Sequence, residues 1–322
     1  MPRFHVLLTD YAWPDVEIER RTLSEIDAEL IVAPKDKQDA AALAALAKEH
    51  QVDAIMTNWA KVPASVIEAS PGVRIVSRLG IGLDNIDVAF CTSRQIPVTN
   101  IPDYCLIEVA EHALALLLSL SRKVAFYHHE TKQGGYQLQA GPKLRRIEGQ
   151  TLGIVGLGNI GRKLAEKARG LGLVMLATSR SRREPMLGVE YVTLDELLAR
   201  SDYVSLHTPL TPETWHMIGP AQLARMKPSA YLINTARGGL IDHAALAAAL
   251  AGGQLAGAAL DVQDPEPPDL SQPPYNDPRV IVTPHAAFVS EESLANLRSR
   301  VARQVATRLV GGAPESVVNG VA

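Results

Sequence analysis

The stretch Thr151-Leu-Gly-Ile-Val-Gly-Leu-Gly-Asn-Ile-Gly161 limits what this chain can fold into more than any other. A short apolar run, Leu152 to Val155, ends in Gly156-x-Gly158-x-x-Gly161. Behind it Ile160, Leu164, Ala165 and Ala168 recur at helical spacing, and a second apolar run, Leu173 to Ala177, follows Gly170 and Gly172. Strand, glycine turn, helix and strand at this length make one βαβ unit. Each glycine has its own reason to be there. Gly156 permits the tight turn, Gly158 lets the backbone approach a pyrophosphate without a Cβ between them, and Gly161 lets the helix lie close to its strand. The N–H groups around Leu157, Asn159 and Ile160 then face the anion, with the positive end of the helix dipole behind them. A glycine turn alone also serves ordinary structural bends. With both strands and the helix in place, the reading is a dinucleotide site.

The rest of the chain repeats this alternation. Residues 4–9, 29–33, 53–57, 73–77 and 96–100 read as strands, with helices over 17–26, 40–48 and 64–69. Pro102 and Asp103 open a long helix, with Asp103 expected as its N-cap and Val109, Leu116, Leu117 and Leu120 on its buried face. Residues 131–147 are polar and broken by glycine and proline, a surface excursion. Further strands are expected at 203–207, 231–235, 258–262 and 280–283, and helices at 194–200, 220–226 and 244–250. A last helix, 291–310, is long enough to return to the first unit. The expected fold is α/β, with two parallel-sheet domains and an active-site cleft between them. Residues 1–100 plus 288–322 would form one domain and 101–287 the inserted, dinucleotide-binding one.

Several classes are disfavoured. A net charge of −3 carries no basic excess for nucleic acid. The two cysteines, Cys91 and Cys105, lack metal-ligand spacing, so no metal is expected and a reducing, cytoplasmic setting is. The most apolar stretch, Ala113 to Leu120, is too short to span a bilayer. The apolar start, Phe4 to Thr9, runs too soon into Asp10 to be a signal peptide.

Ligands of open parallel sheets bind beyond the carboxyl ends of the strands. Three polar residues fall just past such ends: Arg237 after Leu232 to Ala236, Glu266 after Leu260 to Val262, and His285 after Val280 to Pro284. A guanidinium is a planar fork for a carboxylate or carbonyl. A histidine beside a glutamate is a tuned acid/base. Taken singly, Arg237 reads equally as a salt-bridge partner, Glu266 as a solvated carboxylate and His285 as a satisfied loop histidine. Together beside a nicotinamide, they suffice to reduce a 2-keto acid.

At this point the chain resembles the D-isomer-specific 2-hydroxyacid dehydrogenases over nearly its full length. The matching segments are Arg78-Leu-Gly-Ile-Gly-Leu-Asp-Asn-Ile-Asp87, Gly153 to Gly161, Val204 to Thr214, Asn234-Thr-Ala-Arg-Gly-Gly239, Asp261-Val-Gln-Asp-Pro-Glu-Pro267 and Thr283-Pro-His-Ala286. Asp10-Tyr-Ala-Trp13, Thr57-Asn-Trp59 and Pro102-Asp-Tyr-Cys105 are similar to the branch of C-terminal-binding-protein-like dehydrogenases. The resemblance implies two Rossmann-like or flavodoxin-like domains; a homodimer is expected beside it, the apolar helix at 113–120 being a candidate for its interface. It implies that Arg237 holds the substrate, that His285 exchanges the proton at the C2 oxygen, and that Glu266 orients His285. It assigns the substrate carboxylate to the backbone of Leu79, Gly80, Ile81 and Gly82. Cofactor contacts would come from Gly156 to Gly161, His207, Pro209, Thr214, Thr235, Ala236, Arg237, Asp261 and His285, with Asp261 accepting from the carboxamide. Turn and packing roles stand beside these for His207, Pro209, Thr214, Thr235 and Ala236, and a merely structural one for Asp261.

One departure matters. Where most members carry an aspartate for the adenosine ribose, this chain has Ser179, in Ala177-Thr-Ser-Arg-Ser-Arg-Arg183. An aspartate would repel a 2′-phosphate, whereas Ser179, Arg180 and Arg182 or Arg183 would bond and neutralise it. A solvated basic loop is the plain alternative. The expectation is an NAD(P)-dependent D-2-hydroxyacid dehydrogenase preferring NADP(H), with NAD(H) possible. Its substrate would be a small 2-keto or 2-hydroxy acid such as glyoxylate or hydroxypyruvate. Trp59, Tyr104 and Phe288 would either border the pocket or pack the core. A nucleotide-sensing co-regulator and an oxidoreductase of phosphite or formate are the rival readings.

Overall fold

The computed structural model describes residues 2–140, 143–180, 186 and 188–321. The first elements are β1 (Phe4–Leu8), α1 (Glu17–Ser24), β2 (Ala28–Val32), α2 (Ala40–His50), β3 (Ala54–Thr57), α3 (Ala64–Glu68), β4 (Val76–Arg78), α4 (Val88–Ser93) and β5 (Val98–Thr99). Then come α5 (Leu106–Arg122), α6 (Val124–Lys132), β6 (Thr151–Val155), α7 (Asn159–Ala168), β7 (Val174–Thr178), β8 (Val189–Tyr191), α8 (Leu194–Arg200) and β9 (Tyr203–Leu206). The last are α9 (Pro220–Leu223), β10 (Tyr231–Asn234), α10 (His243–Ala251), β11 (Gly257–Leu260), β12 (Val280–Val282) and α11 (Glu291–Leu309). The chain divides into two compact units, Met1–Tyr104 with Ser290–Ala322, and Cys105–Val289.

The first unit is a five-stranded parallel sheet in the order β2-β1-β3-β4-β5. Its strands are almost wholly apolar because both faces are covered. One face is buried by Leu23 of α1 and by Leu297, Val301, Val305 and Leu309 of α11, the other by Leu43, Ala47, Val66, Ile67 and Cys91. α11 belongs to this unit although it comes last in the chain. Its Arg298 reaches buried Glu19 on α1 through Nε and Nη2, both at 2.8 Å, and Asp15 at 3.0 Å.

The second unit is a seven-stranded parallel sheet in the order β12-β11-β10-β9-β6-β7-β8. Strand order reverses between β6 and β9, the switch point where doubly wound sheets bind ligands. α5 and α7 cover one face through Ala113, Leu117, Leu164 and Ala168, while α8, α9 and α10 cover the other. Burying Leu164 alone is worth about 1.5–3 kcal/mol.

Three details differ from sequence expectation. The N-cap of α5 is Cys105, not Asp103, whose carboxylate instead accepts from Arg300 at 2.6 Å. A charged donor outcompetes uncharged helix-end N–H groups for that carboxylate. The strand expected at 73–77 forms only over Val76–Arg78. α6 lies in a stretch without amphipathic signal, and none of its residues is buried.

Candidate active site

The glycine turn divides its work between structure and ligand. Gly156 adopts φ +97°, and a Cβ there would run into the carbonyl oxygen of His207. A Cβ on Gly161 would run into the carbonyl oxygen of Gly156. Both are needed for β6, β9 and α7 to come this close. Gly158 is different: its φ of −77° is ordinary, and a Cβ would meet nothing within 4 Å. It is the N-cap of α7 and brings no side-chain acceptor to the first turn. Leu157 is buried, Ile160 half-buried and Asn159 exposed. A cradle that a methyl group would fill, at the start of a ten-residue helix, suits a pyrophosphate.

The neighbouring strand ends surround this turn. Ser179 is half-buried just beyond β7 and Arg180 is exposed, while Arg182 and Arg183 lie outside the described residues. The Thr211 hydroxyl, its own backbone N–H and the Arg180 charge hold the exposed Glu213 carboxyl below its ordinary range. After β9, the His207 ring bonds the Ser205 hydroxyl through Nε2 at 2.8 Å, and burial pushes its pKa down to about 4. It is therefore a neutral imidazole at ordinary pH. Thr214 shapes the following loop, donating to the Pro209 carbonyl at 2.8 Å and accepting from Thr211 N–H at 2.7 Å. After β10, the Asn234 amide accepts from Ala236 N–H at 3.0 Å and donates to the Arg237 carbonyl at 2.8 Å. The Thr235 hydroxyl is buried and has no partner among the described residues. An orphaned hydroxyl costs roughly 1–3 kcal/mol and calls for a ligand or water.

The acid/base set assembles past β10, β11 and β12. His285 Nδ1 is 2.8 Å from Glu266 Oε2, and Glu266 Oε1 accepts from Gln263 N–H at 2.8 Å. Burial pushes the Glu266 carboxyl up, but the hydrogen bond and charge of His285, with help from Gln263 N–H and Arg237, bring it below the usual range. Arg237 thus acts on the same carboxylate. Its loop can press on the Glu266 loop because residue 238 is glycine, where a Cβ would strike the Gln263 carbonyl. His285 itself holds φ +53°, a left-handed conformation that costs a histidine on the order of 1 kcal/mol. Asp261, fully buried, supplies the restraint. Its carbonyl accepts from His285 N–H at 2.7 Å, and its carboxylate accepts from Thr283 Oγ1 at 2.6 Å, Ala286 N–H at 2.9 Å and Ala287 N–H at 3.0 Å. Phe288 is buried with its ring edge-on to His285, centroids 6.0 Å apart.

In the first unit, the loop Leu79–Gly82 turns its carbonyls inward. Leu79 O accepts from Arg78, Gly80 O from Ile101 N–H at 3.1 Å and Ile81 O from Asn100 Nδ2 at 2.7 Å. A trans peptide points each N–H opposite the preceding carbonyl, so the N–H groups of Gly80, Ile81 and Gly82 face away from those bonds. A Cβ on Gly80 would lie 2.9 Å from the Arg78 guanidinium. Trp59 donates its backbone N–H to Asp10 at 2.7 Å and keeps its side chain partly exposed, while Tyr104 packs on the core.

Three contributors were not anticipated. Asn234 and Gln263 tie strand ends through their amides, Gln263 donating to the Leu260 and Thr283 carbonyls at 3.0 and 3.1 Å. His112 on α5 reaches Thr283 Oγ1 at 3.1 Å. A signal for it existed: position 112 falls three after Val109 and four before Leu116, on the apolar stripe of the helix.

Residues 114–287 match the family model of the D-isomer specific 2-hydroxyacid dehydrogenase NAD binding domain. The chain is 41% identical over 317 residues to a glyoxylate reductase of Korarchaeum cryptofilum, covering 94% of each. Its fold is similar to a glyoxylate reductase from Paecilomyes thermophila, with TM-score 0.87, 30% identity and 99% of each chain covered. It is also similar to an NADPH-dependent glyoxylate/hydroxypyruvate reductase from Sinorhizobium meliloti, solved with NADP and malonate, with TM-score 0.86, 29% identity and 98% and 97% covered.

Proposed function

Because this chain belongs to the D-isomer specific 2-hydroxyacid dehydrogenase family, we propose that it reduces a small 2-keto acid such as glyoxylate or hydroxypyruvate with NADPH. The observation that carries this reading is the His285–Glu266 pair, 2.8 Å apart, beside Arg237. The nicotinamide, when bound, supplies the hydride. Arg237 would grip the substrate carboxylate or carbonyl with its fork. With Nδ1 committed to Glu266, His285 would hold a proton at Nε2 and pass it to the C2 oxygen. Glu266 would orient the ring through the 2.8 Å contact. The N–H groups of Gly80, Ile81 and Gly82 would take the substrate carboxylate. Gly158 and the first turn of α7 would hold the pyrophosphate, with Thr235 and Ala236 beside the ribose and the neutral His207, Pro209 and Thr214 along the cofactor. Asp261 would accept from the carboxamide only in addition to holding the His285 turn.

The preference for NADPH rests on Ser179 and Arg180, the two residues that follow β7, neither of them acidic. Comparing kcat/KM for NADPH and NADH tests it, with glyoxylate and hydroxypyruvate as substrates. NADPH should win, and Ser179→Asp should reverse the order by charge repulsion. A wild-type preference for NADH rejects the cofactor assignment, and no turnover with any 2-keto acid rejects the reductase.

A homodimer is proposed through α6 and the segment after it, where Tyr136 and Leu138 are 92% and 85% exposed. That replaces the apolar stretch at 113–120, whose Ala113, Leu116, Leu117 and Leu120 are spent on this unit's own core. Light scattering that gives a monomer mass rejects it. No helix among the described residues is long and apolar enough to cross a membrane. A cytoplasmic setting is proposed on the buried thiol of Cys91, which carries no disulfide. Cell fractionation that recovers the protein outside the cytoplasm rejects it.

A further inference from the structure

We infer that His112, on α5, is a positioning residue for the proton donor: it fastens Asp261 and Thr283, and through them the turn that presents His285. The inference rests on the reductase reading, in which His285 holds the transferred proton. Its basis is a closed account of donors and acceptors. The Thr283 hydroxyl has one proton, and the contact at 2.6 Å spends it on Asp261 Oδ1, since an ionised carboxylate only accepts. The hydroxyl oxygen can therefore only accept from His112, whose Nε2 is 3.1 Å away. That fixes the ring with a proton on Nε2. The same nitrogen lies 3.4 Å from Asp261 Oδ1, so one N–H serves both partners.

What this N–H secures is the strained turn. Asp261 holds Thr283, Ala286 and Ala287 through its side chain and His285 through its carbonyl, keeping His285 at φ +53°. Every one of those bonds joins the ends of β11 and β12 to each other. Asp261 N–H is also tied to the Asn234 carbonyl of β10 at 2.9 Å, but His112 brings a side-chain donor to Asp261 and Thr283 from outside the two strands, carried on a helix that packs against β10 and β11. A helix is a firmer reference than a loop, and a proton donor displaced by about 1 Å forfeits much of its rate. Removing partners that orient a reacting group typically costs about 10–100-fold in activity.

The test uses His112→Leu, His112→Gln, Thr283→Val and the Leu/Val double variant of the full-length protein. Gln places an amide N–H near the position of Nε2, whereas Leu keeps the bulk and removes the donor. His112→Leu should lower kcat with glyoxylate about 10–100-fold while the cofactor Kd and the melting temperature stay near wild type. His112→Gln should recover most of the loss. The double variant should be no slower than the slower single, because both remove one network. In protein labelled with 13C at histidine, the His285 ring signal should shift in His112→Leu and return in His112→Gln. That readout needs no turnover, so it stands even if wild type reduces no 2-keto acid, which would reject the reductase reading alone. A kcat within twofold of wild type in His112→Leu, multiplying losses in the double variant, or an unmoved His285 signal overturns the inference.

Discussion

Gly158→Ala separates folding from cofactor binding at one atom. At φ −77° an alanine is allowed, and its Cβ would touch nothing within 4 Å. Restricting the unfolded chain favours the variant by about 0.4–1 kcal/mol, and the loss of glycine at an N-cap opposes it by a similar amount. The net is close to zero. The melting temperature should stay within about 2–4 °C of wild type, since roughly 1 kcal/mol moves a domain of this size by that much. The methyl group would stand where a pyrophosphate must approach the backbone. Forcing a methyl into a close contact costs about 1–3 kcal/mol, which weakens binding roughly 5- to 150-fold. Gly161→Ala is the control, because its Cβ collides with the Gly156 carbonyl inside the protein. It should lower stability by about 1–3 kcal/mol before any ligand is added. Thermal scans and a fluorescence titration with NADPH read both quantities. An unchanged Kd in Gly158→Ala would refute the cradle, and a collapse of its melting temperature would refute the packing argument.

The dyad and the buried ion pair make sharper tests still. His285→Ala should reduce kcat by about 10²–10⁴-fold and leave the cofactor Kd unchanged; a Kd that rises as steeply as kcat falls would show a binding role instead. Glu266→Gln should lower kcat more than it changes KM, because the carboxylate that holds His285 Nδ1 at 2.8 Å is gone. In wild type the contact should be lost in acid as Glu266, held below the usual carboxyl range, takes up a proton, and the variant should lose that acid limb. A pH–rate profile superposing on wild type would place the Glu266 contribution at nothing. Glu19→Ala removes the buried carboxylate from the Arg298 guanidinium, leaving it Asp15 alone, and should cost about 1–3 kcal/mol in urea unfolding. Pairing it with Arg298→Met should recover part of that loss, and a single-variant cost below about 1 kcal/mol would contradict the burial argument.

Much of this molecule was legible in its sequence because its signals are local. Apolar runs ending in glycine, as at Leu152 to Gly156, carry strand, turn and helix start within a few residues. Arg237, Glu266 and His285 were visible as polar residues just past such runs, and their motif resemblance joined what chain distance had scattered. Other contributors left little local trace, His112 only its place on the apolar stripe of α5. Gln263 and His112 work by reaching a carbonyl and a hydroxyl at the end of another strand, Asn234 by folding the loop after its own, and an amide or imidazole has no period of its own. α6 escaped for the opposite reason: with no buried residue, it has no apolar face to read. Asp103 misled because an aspartate before a helix is normally a cap, yet Arg300, far along the chain, claims it. The lesson from these residues is physical. Periodicity reports burial, whereas a hydrogen bond between distant segments is known only once both are placed.

The closure of the first sheet by α11 bears on how the polypeptide matures during synthesis. Leu297, Val301 and Leu309 complete a core begun at Phe4 and Val6, and Arg298 neutralises Glu19. Everything between Cys105 and Val289 must leave the ribosome first. At about 5–20 residues per second that interval lasts on the order of 10–40 s. Throughout it the nascent N-terminal strands present uncovered apolar surface, the condition under which chaperones engage a growing chain. The inserted segment meets no such delay and can compact as it emerges, so the part translated first is the part finished last.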